Sequence, residues 1–210
     1  MQARTSLSKQ SEGRTFTEAA RRTQIVDAAI EVIADQGYRN ASFAKIAKQA
    51  GLSSTGMISY HFRGKGDLMR EVVEHVMGVA MDFVVAELAP VQGHRERLRA
   101  YFAANLALTE QYPKHMRAIS NIGVNAGQDD PHLYGLIDQL EAGADVQVER
   151  IRDGQRAGVF RDFDPVVMVM AIRSAMDAAI GRAGADPSFD SAACARELAD
   201  LFDRATRKEA

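Results

Sequence analysis

Apolar residues recur every three to four positions along almost the whole chain, and this spacing is the feature that most constrains the fold. Between residues 17 and 36, one predicted helical face carries Ile25, Ala28, Ala29, Val32 and Ile33. No segment shows the alternation of apolar and polar residues between hairpin turns that is typical of strands. The sequence therefore predicts an all-α protein.

Glycines, prolines and capping residues divide this pattern into about nine helices. Gly37 and Gly51 suit the ends of the first two helices, and Ser42 and Asp67 suit the beginnings of the second and the fourth. The predicted helices span residues 17–36, 43–50, 57–62, 67–88, 95–111, 114–126, 131–157, 165–183 and 191–206. The seventh would be a long central strut. Residues 1–16 are polar and are expected to form a disordered basic tail.

Composition excludes several classes of protein. The single cysteine, Cys194, cannot form an intramolecular disulfide or a multi-cysteine zinc site. The longest apolar stretches without charge, residues 100–109 and 165–172, are too short to cross a membrane. The first residues also lack the apolar core of a signal peptide. We therefore expect a cytoplasmic protein that has no membrane span and needs no metal or other cofactor.

Basic residues are concentrated near the N-terminus, although the whole chain has a formal net charge of only −2. Residues 1–65 hold ten Lys and Arg against five Asp and Glu, so the rest of the chain is acidic. This asymmetry indicates two functional parts, of which the first suits a polyanionic partner. Charge alone does not distinguish such a partner from a solvated helix surface.

Motifs of common enzyme classes are missing from the sequence. No histidine lies three residues after a glutamate, which is the spacing used in di-metal helical bundles. Ser59 stands where a phosphate-binding loop ending at Gly64 and Lys65 would need a glycine. The patterns Gly-x-Ser-x-Gly and His-Glu-x-x-His are also absent. The chain is therefore not expected to be an enzyme.

Two short predicted helices around Gly51 have the size and order of a helix-turn-helix, whose second helix fits the roughly 12 Å major groove of DNA. The exposed side chains of that second helix suit base edges, thymine methyl groups and phosphates: Ser54, Thr55, Ser59, Tyr60 and His61. The flanking basic residues suit backbone phosphates: Lys45, Lys48, Arg63 and Lys65. The alternative is that Tyr60 and His61 pack internally and that the lysines form a solvated face.

Several segments between residues 22 and 75 agree in order and spacing with one known family. They are Ile25-Val26-Asp27-Ala28-Ala29, Gly37-Tyr38, Ser42-Phe43-Ala44-Lys45-Ile46-Ala47, Ala50-Gly51-Leu52-Ser53 and Tyr60-His61-Phe62, with Lys65 and Leu68. This part of the chain closely resembles the N-terminal domain of the TetR family of bacterial repressors. The resemblance implies a DNA-binding domain of three helices, followed by a ligand-sensing domain that forms a homodimer.

The resemblance also implies roles for individual residues. The implied DNA-contacting residues are Ser42, Lys45, Ser53, Ser54, Thr55, Gly56, Ser59, Tyr60, His61 and Lys65. Ser42 caps the second helix in this reading, and Lys45 and Lys65 contact phosphates. The run from Leu52 to Phe62 is one residue longer than the commonest family spacing. The aromatic position that contacts phosphate in the family therefore falls on either Ser59 or Tyr60.

Beyond Val76 the sequence offers only side-chain chemistry as a guide. Uncharged polar groups among apolar ones can orient a small hydrophobic effector, and on this basis we predict a site made of Phe83, Phe102, Leu106, Asn121 and Asn125. The alternative is that the asparagines bond to nearby backbone. For the last two helices the resemblance implies a four-helix dimer interface, predicted to contain Ile172, Met176, Ala179, Leu198 and Leu201.

These patterns predict a helix-turn-helix DNA-binding domain at residues 17–65 and an effector-binding and dimerisation domain at residues 66–210. We expect a transcriptional regulator, specifically a repressor, that a small hydrophobic effector releases from a palindromic operator in double-stranded DNA. The alternative is an all-α small-molecule-binding protein or enzyme whose N-terminal fold does not bind DNA.

Overall fold

The computed structural model describes residues 3–129, 144–186 and 188–208, with side chains described for residues 17–125, 145–186 and 188–208. Nine α-helices lie in these ranges: α1 (Ala3–Gln36), α2 (Phe43–Gln49), α3 (Gly56–His61), α4 (Lys65–Leu88), α5 (His94–Gln111), α6 (Pro113–Asp129), α7 (Ala144–Arg156), α8 (Pro165–Ala185) and α9 (Ser191–Thr206). The same ranges contain no β-strand, only an isolated bridge between Phe160 and Arg207. The prediction of an all-α fold with about nine helices is confirmed.

Eight of the nine helices differ from their predicted bounds by at least one residue, and the differences at α1, α4 and α7 concern the predicted tail, cap and strut. Helix α1 begins at Ala3, so residues 3–16 of the segment expected as a disordered tail are helical, because extending a formed helix avoids the cost of nucleation. Helix α4 begins at Lys65, and Asp67 lies in its first turn, where a carboxylate oxygen accepts a hydrogen bond from the Arg63 N–H at 3.1 Å. Helix α7 covers the second half of the predicted strut, and residues 130–143 lie outside the described residues.

The first hydrophobic core runs through the N-terminal helices and continues into α4, α5 and α6. Ile25, Ile46 and Ile58 are fully buried in it, as is Ile122 of α6. The core shows no break at residue 65, because the apolar face of α4 packs against the same cluster from Leu68 onward. A displacement of α4 must therefore be transmitted to α1, α2 and α3, because close-packed interiors have little room to deform.

The second core joins α5 to α8 and α9. The rings of Phe102 and Phe202 stack at a centroid distance of 5.3 Å in its centre. Ile172, Met176 and Ala179 are buried in this core, so three of the five residues predicted for the dimer interface pack within the protomer instead. Helical periodicity identified an apolar face of α8 correctly, but periodicity does not say whether the same chain or a second copy covers that face.

An ion pair between the half-exposed Arg95 and the buried Asp203 fastens α9 to α5 beside this core. The guanidinium of Arg95 donates two hydrogen bonds of 2.7 Å to the carboxylate of Asp203, and Arg99 pairs with Asp200 one turn away. These hydrogen bonds from Arg95 hold the pKa of Asp203 below its usual value, against the opposing effect of burial. Bidentate geometry of this kind makes the strongest hydrogen bonds between side chains.

We expect Asp203→Asn to lower the free energy of unfolding at pH 7 by about 1.5–3 kcal/mol, the range for hydrogen bonds to charged groups. Because the folded-state pKa is depressed, this stabilisation is present above the unfolded pKa, near 4, and is lost as pH falls through the folded value. The difference in free energy of unfolding between wild type and variant should therefore shrink below about pH 4. Urea unfolding at several pH values measures this difference. Asp200→Asn, which breaks a more exposed pair, is the control and should cost less than about 1 kcal/mol.

Candidate nucleic-acid interface and effector cavity

Helix α3 is a short helix that packs one side against the core and exposes its other side to solvent. The Ser42 hydroxyl caps α2 by accepting a hydrogen bond from the Lys45 N–H at 3.4 Å. In α3, Ile58 and the following Phe62 point into the core, whereas Tyr60 keeps 74% of its surface exposed. Tyr60 is therefore not the internal packing residue that the alternative interpretation required. This is the arrangement a recognition helix needs, because side chains that read DNA must project from a rigid frame.

The turn before α3 is also open to solvent. Gly51 adopts a φ of +65°, a conformation that L side chains rarely adopt, and it ends α2. Eight of the ten residues predicted to contact DNA have exposed surfaces: Ser42, Lys45, Ser53, Ser54, Thr55, Gly56, Ser59 and Tyr60. His61 and Lys65 are half-buried. The sequence therefore placed this group of residues on one short segment that the fold leaves accessible.

Arg22 of α1 holds the end of α3 in place, and the sequence analysis missed this role. Its guanidinium donates to the carbonyl of His61 at 2.7 Å, pairs with Glu71 of α4 at 2.5 Å and lies 4.5 Å from the centre of the Phe62 ring. One side chain thus joins α1, α3 and α4. No local pattern signals it, because its partners are 39 and 49 residues away in sequence.

Two predicted DNA contacts have partners within the chain. The ammonium of Lys65 donates to the carbonyl of Tyr38 at 2.8 Å and sits 4.5 Å from the centre of that tyrosine ring. The hydroxyl of Tyr60 donates to the carboxylate of Glu18 at 3.2 Å. Lys65 therefore fastens the start of α4 to the turn that follows α1, a structural role in addition to the predicted contact with phosphate.

A cavity of about 310 Å³ lies between α4, α5, α7 and α8. Its walls combine apolar and polar groups: Leu88, His94, Arg97, Leu98, Tyr101, Gln147, Arg150, Ile151, Asp153, Phe160, Val169 and Ile172. Its volume is at the lower end of the roughly 300–1,000 Å³ typical of small-molecule sites. The amide of Gln147 donates to the hydroxyl of Tyr101 at 2.9 Å, which fixes two of the polar groups before any ligand arrives.

Phe160 reaches the cavity because α7 has a glycine opposite it. A Cβ atom at Gly154 would lie 2.2 Å from the Phe160 ring, closer than any real contact. The isolated bridge between Phe160 and Arg207 then fixes the backbone of this residue at the end of α9. The apolar wall of the cavity thus depends on a small residue in one helix and on a backbone contact with another.

None of the five residues predicted to bind an effector lines this cavity. Phe102 and Leu106 are buried in the second core, and Phe83 meets Tyr112 edge-to-face at 5.8 Å. The amides of Asn121 and Asn125 donate to backbone carbonyls one turn earlier, at 2.9 and 2.8 Å. The alternative given for the asparagines, bonding to local backbone, is therefore the one that the structure adopts.

The sequence of this chain is similar to those of known bacterial regulatory proteins. A sequence profile described as bacterial regulatory proteins, tetR family, matches residues 25–72, which contain the core of α1 and all of α2 and α3. The transcriptional regulator BetI of Escherichia coli is 36% identical over 121 residues, which cover 57% of this chain and 61% of BetI. Residues 25–72 of this chain are therefore similar to the tetR family. The match covers less than two thirds of the BetI relatives, so it includes only part of their length.

Solved structures agree with the fold of this chain over most of its length. A proposed transcriptional regulator from Saccharomonospora viridis, solved in complex with choline, superposes with a TM-score of 0.80 and 23% identity, covering 91% of this chain and 100% of that one. The regulator FadR from Bacillus subtilis, solved in complex with stearoyl-CoA, has a TM-score of 0.75 and 22% identity, covering 86% and 96%. At this level of identity the comparison concerns the fold alone. No described helix of this chain is long and apolar enough to span a membrane.

Proposed function

We propose that this protein is a DNA-binding transcriptional regulator, acting as a dimeric repressor that a small molecule releases from its operator. The observation that carries the proposal is the exposed α3, held by Ile58, Phe62 and Arg22 within a segment that matches the tetR family. The named relatives are transcriptional regulators, which favours this function over the enzyme alternative. Such a regulator acts in the bacterial cytoplasm, where the chromosome is.

Within this proposal α3 enters the major groove of double-stranded DNA. Thr55, Ser59 and Tyr60 are the exposed side chains that would reach base edges or phosphates, and Lys45 would neutralise a phosphate. The DNA-binding unit comprises residues 17–65, and the effector-binding and dimerisation unit comprises the rest of the chain. The shared core across this boundary supports tight coupling between the two units.

The proposed dimer uses the faces of α8 and α9 that the protomer leaves uncovered. Met170 of α8 is 61% exposed and Leu201 of α9 is 57% exposed, and Val166 and Val167 lie exposed at the start of α8. These four residues are the exposed large apolar side chains of α8 and α9, and exposed apolar patches mark protein–protein interfaces. A dimer matches a palindromic operator, because each copy reads one half-site.

Helix α4 is the proposed link between the cavity and DNA. It has 24 residues, which gives a length of about 36 Å at the rise of an α-helix. Lys65 at its first turn is bonded to Tyr38 in the turn between α1 and α2, and Leu88 at its last turn lines the cavity. A ligand that displaces Leu88 would thus move α3 relative to its dimer mate and misalign one half-site. Coupling of this kind is reciprocal, so DNA must weaken ligand binding by the same factor.

DNA binding is tested first at Lys45, which is exposed and has no structural role in the described contacts beyond the backbone cap. We expect Lys45→Ala to weaken binding to specific and random duplexes equally and to reduce the slope of log affinity against log salt by about one. By contrast, Thr55→Ala should reduce the ratio of specific to random binding, because base contacts are each worth on the order of 1–3 kcal/mol. Fluorescence anisotropy with the DNA upstream of the protein's own gene measures both effects.

The control is Lys208→Ala, an exposed lysine near the end of the chain, which should leave the salt dependence unchanged. Lys65→Ala should also lower the melting temperature, because it removes the contacts to Tyr38. If neither Lys45→Ala nor Thr55→Ala alters any DNA affinity, α3 and its flanks are not the DNA-binding surface and the proposal is wrong.

A further inference from the structure

The charged groups that line the cavity are mainly basic. Arg97 of α5 and Arg150 of α7 both line it, together with the carboxylate of Asp153. Asp153 is already paired with Arg156 on the outer side of the same helix, so its charge is compensated. The two arginines therefore leave the described part of the cavity with a net positive charge.

The two arginines differ in how they are held. One nitrogen of the Arg97 guanidinium donates to the carbonyl of Val91 at 3.0 Å, which fixes the side chain while the other N–H groups remain available. Among the described residues, the ion pairs of α7 join Glu149 and Asp153 to Arg152 and Arg156 and do not include Arg150. A planar guanidinium with unused donors recognises carboxylates and phosphates better than any other side chain.

The rest of the wall is apolar. Leu88, Leu98, Ile151, Phe160, Val169 and Ile172 form the surface that a hydrocarbon group would touch. Phe160 and its neighbours Ile151 and Val169 belong to one buried cluster, so this wall is already formed without a ligand. A preformed apolar surface beside two cations suits a molecule with one negatively charged end and one apolar end.

We infer that the cavity binds an amphipathic anion, with its acidic headgroup between Arg97 and Arg150 and its apolar portion against Phe160 and Val169. This inference rests on the proposed function, of which it specifies the effector class. Quaternary ammonium ligands are recognised differently, by aromatic faces that enclose the cation. Here Tyr101, His94 and Phe160 share the cavity with two arginines, and the arginines would repel such a cation.

Three probes with the same eight-carbon chain test the charge preference directly by isothermal titration calorimetry: octanoate, 1-octanol and octyltrimethylammonium. We expect octanoate to bind at least tenfold more tightly than octyltrimethylammonium. Arg150→Gln should weaken octanoate binding about tenfold, the effect of losing a hydrogen bond to a charged group, and should leave octanol within about twofold. Arg97→Gln is a second variant with the same expected pattern. Arg152→Gln is the matched control, because Arg152 lies on the same helix but pairs with Glu149 and does not line the cavity.

Three results would overturn the inference. The first is equal or tighter binding of octyltrimethylammonium, the second is an Arg150→Gln effect no larger than that of Arg152→Gln, and the third is that no probe binds at millimolar concentration. The calorimetry needs no DNA, so a failure of the ligand class can be distinguished from a failure of the proposed function. If octanoate binds through Arg150 but the duplex is not bound, the proposed function fails and the ligand class stands. If the duplex is bound normally and octanoate is not, only the ligand class fails.

Discussion

Replacing Met170 or Leu201 by aspartate is expected to convert the proposed dimer into monomers and to lower operator affinity by about 10²- to 10⁴-fold. Both side chains are more than half exposed in the protomer, so a charge there leaves the fold intact. Each would place an uncompensated carboxylate in the apolar contact between copies, where desolvation is costly. Operator affinity falls because a dimer binds the second half-site at a high effective concentration once the first is bound, and a monomer loses this gain of about 10²- to 10⁴-fold. Sedimentation velocity and anisotropy on the same samples measure the two effects.

Val85→Asp is the control, because Val85 is an apolar residue exposed to a similar extent, 53%, but lies on α4. It should remain dimeric and should bind the operator normally. Dimers that persist in both Met170→Asp and Leu201→Asp would place the interface on other helices. Met176 is unsuitable for this test despite its predicted role, since it is buried and a charge there would disrupt the protomer itself.

Phe102→Ala is expected to lower the free energy of unfolding by about 3–5 kcal/mol, the usual cost of removing a buried phenylalanine ring. Phe102 has no exposed surface and stacks on Phe202, so the ring is the centre of the contact between α5 and α9. The earlier assignment of this residue to an effector site predicts a different outcome, a changed ligand response in a folded protein. Urea unfolding followed by circular dichroism distinguishes the two.

Phe83→Ala is the comparison for this prediction. Because Phe83 is only partly buried, its replacement should lower the free energy of unfolding by clearly less than Phe102→Ala does. A Phe102→Ala variant that unfolds at the same urea concentration as wild type would contradict the packing described for the second core. A loss of stability together with normal binding of octanoate would show that Phe102 supports the second core and does not contribute to ligand binding in the cavity. That result would agree with the position of Phe102 outside the cavity lining.

The helices were predictable because helix formation depends mainly on local features. The apolar face of α1, the Ser42 cap and the glycine turn at Gly51 each act within a few residues, and all three are found where the sequence indicates them. The start of α1 was not predictable from the same features. Its first turns carry no apolar face, and their helical form follows from continuity with the part of α1 that packs against the core.

The proposed recognition segment, residues 53–60, was predictable for a related reason. Its exposed residues lie within the eight positions from Ser53 to Tyr60, interrupted only by Met57 and Ile58, so their placement depends on one turn and two short helices. The contacts that hold this segment were not predictable. Arg22 reaches His61 and Glu71, and Lys65 reaches Tyr38, over separations that no helical period relates.

The proposed effector cavity shows most clearly what the sequence could not predict. Arg97, Tyr101 and Arg150 come from two helices, and neither helix alone indicates that they meet. Phe102 and Leu106 had the right chemistry for a pocket, but their side of α5 faces α8 and α9. The choice between core and cavity depends on how far adjacent helices approach one another, which a single-helix pattern does not contain.

Local interactions in the chain are thus sufficient to specify an all-α protein with a helix-turn-helix near its start, because caps, turns and apolar periods act over a few residues. The packing of distant helices decided the rest. It assigned Ile172 and Met176 to the protomer core, left Met170 and Leu201 exposed, and brought Arg97 and Arg150 to one cavity. The physical reason is that an apolar helical face gains the same free energy from any apolar partner, so only the three-dimensional arrangement selects which partner it meets.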